Sequence, residues 1–112
     1  MNINLNYNGK IVVVDMALAN NFWLRFSGYM FRKAPHVPGI LFEPAGAIQT
    51  TFMKFNLDVI FLSEKNEIKK IVRSMKPWRI TWSVFGAKKV FELPVGALPS
   101  EVKQGDFIEF IY

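Results

Sequence analysis

The sequence predicts an α+β protein that is mostly β: a small barrel-like or rolled mixed sheet of about seven or eight short strands, with one main α-helix packed against it. Three observations carry this. Short stretches of alternating apolar and polar residues recur between turn signals along most of the chain. One segment, "ANNFWLRFSGYMFRK", switches to helical spacing. The 112 residues, 51% hydrophobic with eleven Phe and three Trp, suit a single domain, 1–112, without linker, repeat or low-complexity tract.

The elements follow in order. "YNGK" at Tyr7 to Lys10 reads as a two-residue hairpin turn, because Asn8-Gly9 tolerates the positive backbone angles such a turn needs; it joins strands at Ile3 to Tyr7 and Lys10 to Ala17. In the next segment Phe22, Trp23, Phe26, Tyr29 and Met30 share one helical face, with Asn20 or Asn21 as cap and Arg25, Gly28 and Arg32 on another side. Pro35 and Pro38 end that helix. Strands are then expected at Gly39 to Glu43, Thr50 to Leu62, Glu67 to Ser74, Trp78 to Val84, Lys88 to Leu93 and Asp106 to Tyr112, with a short helical turn at Ala97 to Val102.

Asp58 lies inside the longest of these strands. Thr51, Met53, Phe55, Leu57, Val59 and Phe61 form its core face, which leaves Asp58 on the other face where polar residues give way to Ile60 and Leu62. Arg25 or Arg32 of the helix, or Lys54 two pleats away, would be its partner in a charge-assisted pair.

Composition narrows the function classes. There is no cysteine, so disulfides, thiolate metal sites and thiol nucleophiles are excluded, and a reducing compartment is compatible. His36, the single histidine, falls in a loop, which argues against a Ser-His-Asp arrangement; neither a metal nor another cofactor is expected. The run "IVVVDMALA" is broken by Asp15 and preceded only by Lys10, so it reads as a strand rather than a signal peptide. No apolar run approaches the ~18 residues of a membrane span, and a cytoplasmic protein without membrane contact is expected.

The formal charge of +5 is concentrated: Lys69, Lys70, Arg73, Lys76, Arg79, Lys88 and Lys89 lie between Ile68 and Phe91, where there is no acid. With Trp78 and Trp82 in the same stretch, a nucleic-acid surface through Lys69, Lys70, Arg73 and Arg79 is one reading. Strand alternation opposes it, because Trp78, Ile80, Trp82 and Val84 would turn inward together and leave the cations as a solvated face.

"SGYMFRK", "GILFEPAGAIQTTFMKFNLDVIFL", "MKPWR", "FELPVG" and "QGDFIEF" occur together in this order. The chain thereby resembles domain-of-unknown-function family 192, a group of small bacterial and archaeal proteins, over nearly its whole length. Position by position, Arg25, Gly28, Met30 and Arg32 resemble the family's helix pattern, and Phe52, Met53, Lys54, Leu57 and Asp58 its aromatic-methionine-basic stretch. Glu92 with Leu93, Pro94 and Gly96, and Asp106, complete the likeness. Where relatives often carry a histidine and, a few residues earlier, a cysteine, this chain has Gln49 and Pro44-Ala45-Gly46. The resemblance implies no activity.

The expected function is a small non-enzymatic binding or accessory module for an unknown small ligand or protein partner. Its groove would lie between the helix and the Thr50 to Leu62 strand, with Arg25, Arg32, Phe52, Lys54, Asp58 and Glu92 as candidate ligand-binding residues. The alternatives are a carboxylate-dependent enzyme using Asp58 and Glu92, and a weak polyanion binder.

Overall fold

The computed structural model describes residues 2–19, 28–81 and 83–112. Among them, seven strands, β1 (Asn2–Tyr7), β2 (Lys10–Leu18), β3 (Ile40–Phe42), β4 (Leu57–Leu62), β5 (Ile68–Met75), β6 (Lys89–Pro94) and β7 (Glu109–Ile111), form one sheet in the order β5-β4-β6-β3-β2-β1-β7. The β1–β2 turn is as expected, with Asn8 at φ 52° and Gly9 at φ 78°. β2 and β3 pair in parallel, and every other neighbouring pair is antiparallel. Gly39 admits that junction: a Cβ there would lie 2.6 Å from Leu93 Cδ2 and 3.1 Å from Met16.

The sheet curls into a half-barrel whose ends are stitched together. Asp106 O accepts from Ile68 N at 2.8 Å, Ile68 O accepts from Gly105 N at 2.9 Å, and Glu67 pairs with Phe107. Tyr7 reinforces the seam by donating its hydroxyl to Asp106 Oδ2 at 2.6 Å. That bond, with those from Lys103, holds the Asp106 carboxyl below its usual range.

The described residues therefore form an all-β fold rather than the expected α+β fold with a main helix. Among the described residues there is no α-helix. Gly28 to Phe31 form turns, and Gly28 (φ 47°) and Phe31 (φ 63°) take left-handed backbone that a right-handed helix does not contain. The first part of the expected helix, 20–27, lies outside the described residues. The spacing of Tyr29 and Met30 misled because a loop that covers a sheet also buries neighbouring apolar side chains.

Two expected strands are also corrected. Regular pairing of the Thr50 to Leu62 stretch begins only at Leu57. Among the described residues Trp78 to Val84 contributes a single bridge, Ile80 to Gln49; Trp78 and Ile80 are 59% and 73% exposed rather than turned inward, and Trp82 lies outside the described residues. Ala97 to Val102 holds tight turns and no helix, with Ala97 N bonded to Pro94 O and Val102 N to Pro99 O.

Alternation along the central strands feeds two cores. Ile60, Leu62, Phe91, Leu93 and Leu41 face the barrel interior with Ile3, Leu5 and Phe110. Leu57, Val59, Phe61, Val90, Ile40 and Phe42 face outward, where Tyr29, Met30 and Met53 of the loops cover them. All six residues of β4 are consequently buried.

Asp58 is 2% exposed on the interior face. Leu57 pairs with Met75 but Val59 with Val72, so Arg73 and Ser74 together oppose Asp58 in a β-bulge. Ser74 has φ 55°, and Asp58 Oδ1 accepts its N–H at 2.8 Å. The nearest cation is Arg73, 4.0 Å from Oδ2, whose guanidinium also donates to the carbonyls of Leu98, Pro99 and Val102. This carboxylate clamps a bulge and ties β4 through Arg73 to the loop that closes the barrel end. Of the partners expected from sequence, Arg32 and Lys54 are exposed and not paired with Asp58, and Arg25 lies outside the described residues.

Asp58→Ala should lower stability by about 2–3 kcal/mol and Asp58→Asn, which keeps an acceptor oxygen, by about 1 kcal/mol. Urea unfolding at neutral pH checks the order; equal stability of all three proteins would exclude the clamp.

Candidate functional site

The outward face of β3, β4 and β6 is roofed by loops, and one buried threonine pins them. Thr50 N donates to Arg79 O at 2.8 Å, its carbonyl accepts from Trp78 N at 2.9 Å and Met53 N at 3.1 Å, and its hydroxyl donates to Lys76 O at 2.8 Å while accepting from Arg79 N at 2.9 Å. Ile48 and Thr81 add a second tie, through Thr81 N to Ile48 O and Ile48 N to Thr81 Oγ1, both 2.9 Å. The segments around Gln49 and Ile80 thus form one bonded roof over the sheet.

Between roof and sheet lies a cavity of about 420 Å³. Its walls are mainly apolar, from Tyr29, Met30, Phe42, Ile48, Met53 and Ile80, with Gln49 and Thr81 contributing amide and hydroxyl. These polar groups are already engaged. Gln49 Oε1 accepts from Thr51 N at 2.7 Å and Gln49 Nε2 lies 3.9 Å from Met30 Sδ, while Thr81 is bound to Ile48.

Glu92 is the exception. It pairs with Val59 on one side and Ile40 on the other, so its side chain shares their outward face and reaches the cavity, 3% exposed. Among the described residues none donates a hydrogen bond to its carboxyl. Gly28, at φ 47°, lies close enough that an added Cβ would sit 3.4 Å from Oε1. Burial pushes the carboxyl up to about 8, so at neutral pH it is chiefly the uncharged acid. It also raises the phenol of Tyr29, which burial itself lifts more strongly and which donates to Val37 O at 2.8 Å.

The sequence candidates are distributed over different surfaces. Asp58 pairs with Leu93 on the strand that carries Glu92, but adjacent positions face opposite ways, so the two acids are separated by the sheet and do not form a catalytic pair. Arg32 and Lys54 are exposed on the roof. Lys69 pairs with Glu67 at 3.3 Å and Arg73 is committed to carbonyls, leaving exposed Lys70 and Arg79. His36 is exposed and packs edge-on to Tyr29, its imidazole held below its usual range by partial burial and Arg32. Among the described residues no group of three or more His, Cys, Asp or Glu is placed to hold a metal. No helix there is long and apolar enough to cross a membrane. Gln49, where relatives often carry a histidine, is on the cavity wall, and so is Ala45 of the Pro44-Ala45-Gly46 stretch where they often carry a cysteine.

Phe52 belongs to an outer feature that sequence reading missed. Phe31, Phe52 and Trp78, 60%, 45% and 59% exposed, pack in a row with centroid separations of 5.0 and 4.8 Å. All three sit at φ between 61° and 63°, a conformation that costs a bulky residue roughly 1–3 kcal/mol. No residue type in the sequence signals such angles.

The family model DUF192, described as "Uncharacterized ACR, COG1430", matches residues 3–110, and the chain belongs to that family. It is 33% identical to a UPF0127 protein of Pyrococcus furiosus, over 91% of each chain, and 35% identical to one of Pyrococcus abyssi, over 96% of this chain and 92% of that one. A solved protein of unknown function from Novosphingobium aromaticivorans shares the fold, with TM-score 0.75 and 19% identity over 97% of this chain and 84% of its own. A solved protein from Sinorhizobium meliloti, described as a "putative transcription regulator", gives TM-score 0.71 and 21% identity, over 97% of this chain and 92% of its own.

Because the folded-state value of Glu92 is raised from 4.5 to about 8, its contribution to stability is complete below 4.5 and is lost as pH rises through 8. Glu92→Gln should remove that loss. Relative to wild type, the variant should gain roughly 5 kcal/mol between the acid and alkaline ends of that window, an upper bound for full burial. Unfolding in urea across the pH range measures it; parallel pH profiles would show that Glu92 titrates normally.

Proposed function

We propose that the protein is a small-molecule binding module whose pocket takes a compact, largely apolar ligand bearing an amine. The observation that supports this is Glu92: a buried carboxyl without a described partner, at the floor of a mainly apolar cavity of about 420 Å³ whose other polar side chains are already bonded. That size lies within the roughly 300–1,000 Å³ range of small-ligand sites. An ammonium group entering the cavity would supply the missing counter-charge, return Glu92 to its ionised form and add charge-assisted hydrogen bonds. The aliphatic and aromatic walls would cover the ligand's body. The positive surface opposes a cation only weakly, since salt screens it over about 8–10 Å while the contact pair is desolvated.

A binding role fits better than the enzyme alternative built on Asp58 and Glu92, because Asp58 faces the other side of the sheet and no second carboxyl is brought to Glu92 by the described residues. We place the module in the cytoplasm, in keeping with its lack of cysteine.

Hexylamine, with hexanol as its uncharged counterpart, tests this reading. The amine should raise the thermal midpoint of the wild type, more strongly at pH above 8 than near 6, since Glu92 must release its proton to pair. Glu92→Gln should abolish the effect. Equal stabilisation by hexanol, or an amine effect that survives in the variant, would overturn it.

A further inference from the structure

Phe31, Phe52 and Trp78 come from three separate loops, yet they converge into one row of exposed rings. Burial in the core does not explain the row, because each of the three residues remains about half exposed. Backbone preference does not explain it either, since all three residues occupy left-handed geometry that their side chains disfavour. The loops hold them there: Phe31 N donates to Phe52 O at 3.0 Å, and Trp78 N donates to the carbonyl of Thr50. Aromatic rings kept exposed by a backbone bonded into an unfavourable conformation point to a ligand that uses their faces.

The charge around the row indicates which ligand. Each ring has an exposed cation within two residues: Arg32 and Lys33 beside Phe31, Lys54 beside Phe52, and Lys76 and Arg79 beside Trp78. Segments 28–33, 50–56 and 74–81 contain no Asp or Glu. Every ring is therefore flanked in the chain by exposed cations and by no acid, the charge complement of a phosphate backbone. A membrane wedge would instead gather its apolar groups at a tip with the charges behind it.

We propose that this row is a binding platform for single-stranded nucleic acid. Bases stack on Phe31, Phe52 and Trp78, and the flanking lysines and arginines meet the phosphates. Recognition is by stacking and charge, so it tolerates sequence but rejects a duplex, whose bases already stack on one another. The platform shares Lys76, Trp78 and Arg79 with the basic stretch read in the sequence, but it leaves out Lys69 and Arg73, which have protein partners, and draws its other rings and cations from two further loops. It does not depend on the Glu92 cavity.

Fluorescence anisotropy with labelled oligo(dT) of about 15 nucleotides tests the proposal. Wild type should bind it more tightly than a duplex of equal length, with affinity falling steeply between about 50 and 200 mM salt. Trp78→Ala and Phe52→Ala should each weaken binding about tenfold, while Trp78→Phe, which keeps a stacking face, should weaken it less. Lys65→Ala and Lys103→Ala, on cations away from the row, should leave it unchanged. Thermal melts verify that the variants are folded. Equal affinity for duplex with no effect of the aromatic variants would show charge attraction alone and overturn the platform. Tighter association with phosphatidylglycerol vesicles than with oligo(dT), lost in the same variants, would reassign the row to a membrane surface.

Discussion

The architecture depends on burying both faces of β3, β4 and β6. Curling gives the inner face a core made by the sheet itself. The outer face has no such recourse, and among the described residues loops rather than a helix cover it. Loops are poor covers, because their backbone polar groups need partners and their conformations are expensive to fix. Thr50 meets much of that demand, as donor and acceptor from both main chain and side chain. The roof can then sit on the sheet without sealing it, and the unfilled remainder is the Glu92 cavity.

The two acids show how strand parity separates structure from function. Asp58 and Glu92 occupy neighbouring strands, each almost fully buried, and from composition alone they look alike. Asp58 faces inward and receives a backbone N–H at a bulge. Glu92, one register step away, faces the roof and receives nothing from the described residues. A carboxyl that accepts a backbone N–H at a bulge stabilises the fold, whereas the one buried without a described donor is where our proposed ligand would pair.

Much of the sheet was legible in the sequence. The Asn8-Gly9 turn, both strands of the first hairpin, the short β3 and the parity of Leu57 to Leu62 follow from turn chemistry and alternation, which are local. The expected helix over Tyr29 and Met30 and the expected strand from Trp78 failed together, for one reason. Apolar residues in a covering loop are spaced by what lies beneath them, not by a repeating backbone, so their spacing imitates whichever period is sought. Glu92 was visible as an acid inside an apolar run, but its isolation depends on what β3, β4 and the roof bring near it. The aromatic row was invisible, since nothing in the names of Phe31, Phe52 and Trp78 reveals left-handed backbone.

The seam between the start of β5 and the chain entering β7 bears on how the molecule behaves in a crowd. An open sheet offers unpaired N–H and C=O groups as a template for a second chain, and a curled sheet avoids this only if its ends find one another. Here Ile68 and Asn66 are occupied by Gly105, Asp106 and Ile108, so the start of the β5 edge is taken internally. The rest of that strand carries Lys70 and Arg73 and is bent by the Ser74 bulge, features that discourage intermolecular pairing. The last eight or so residues thus serve colloidal stability as much as folding, and a chain shortened before Gly105 would expose β1 and the start of β5 as adhesive borders.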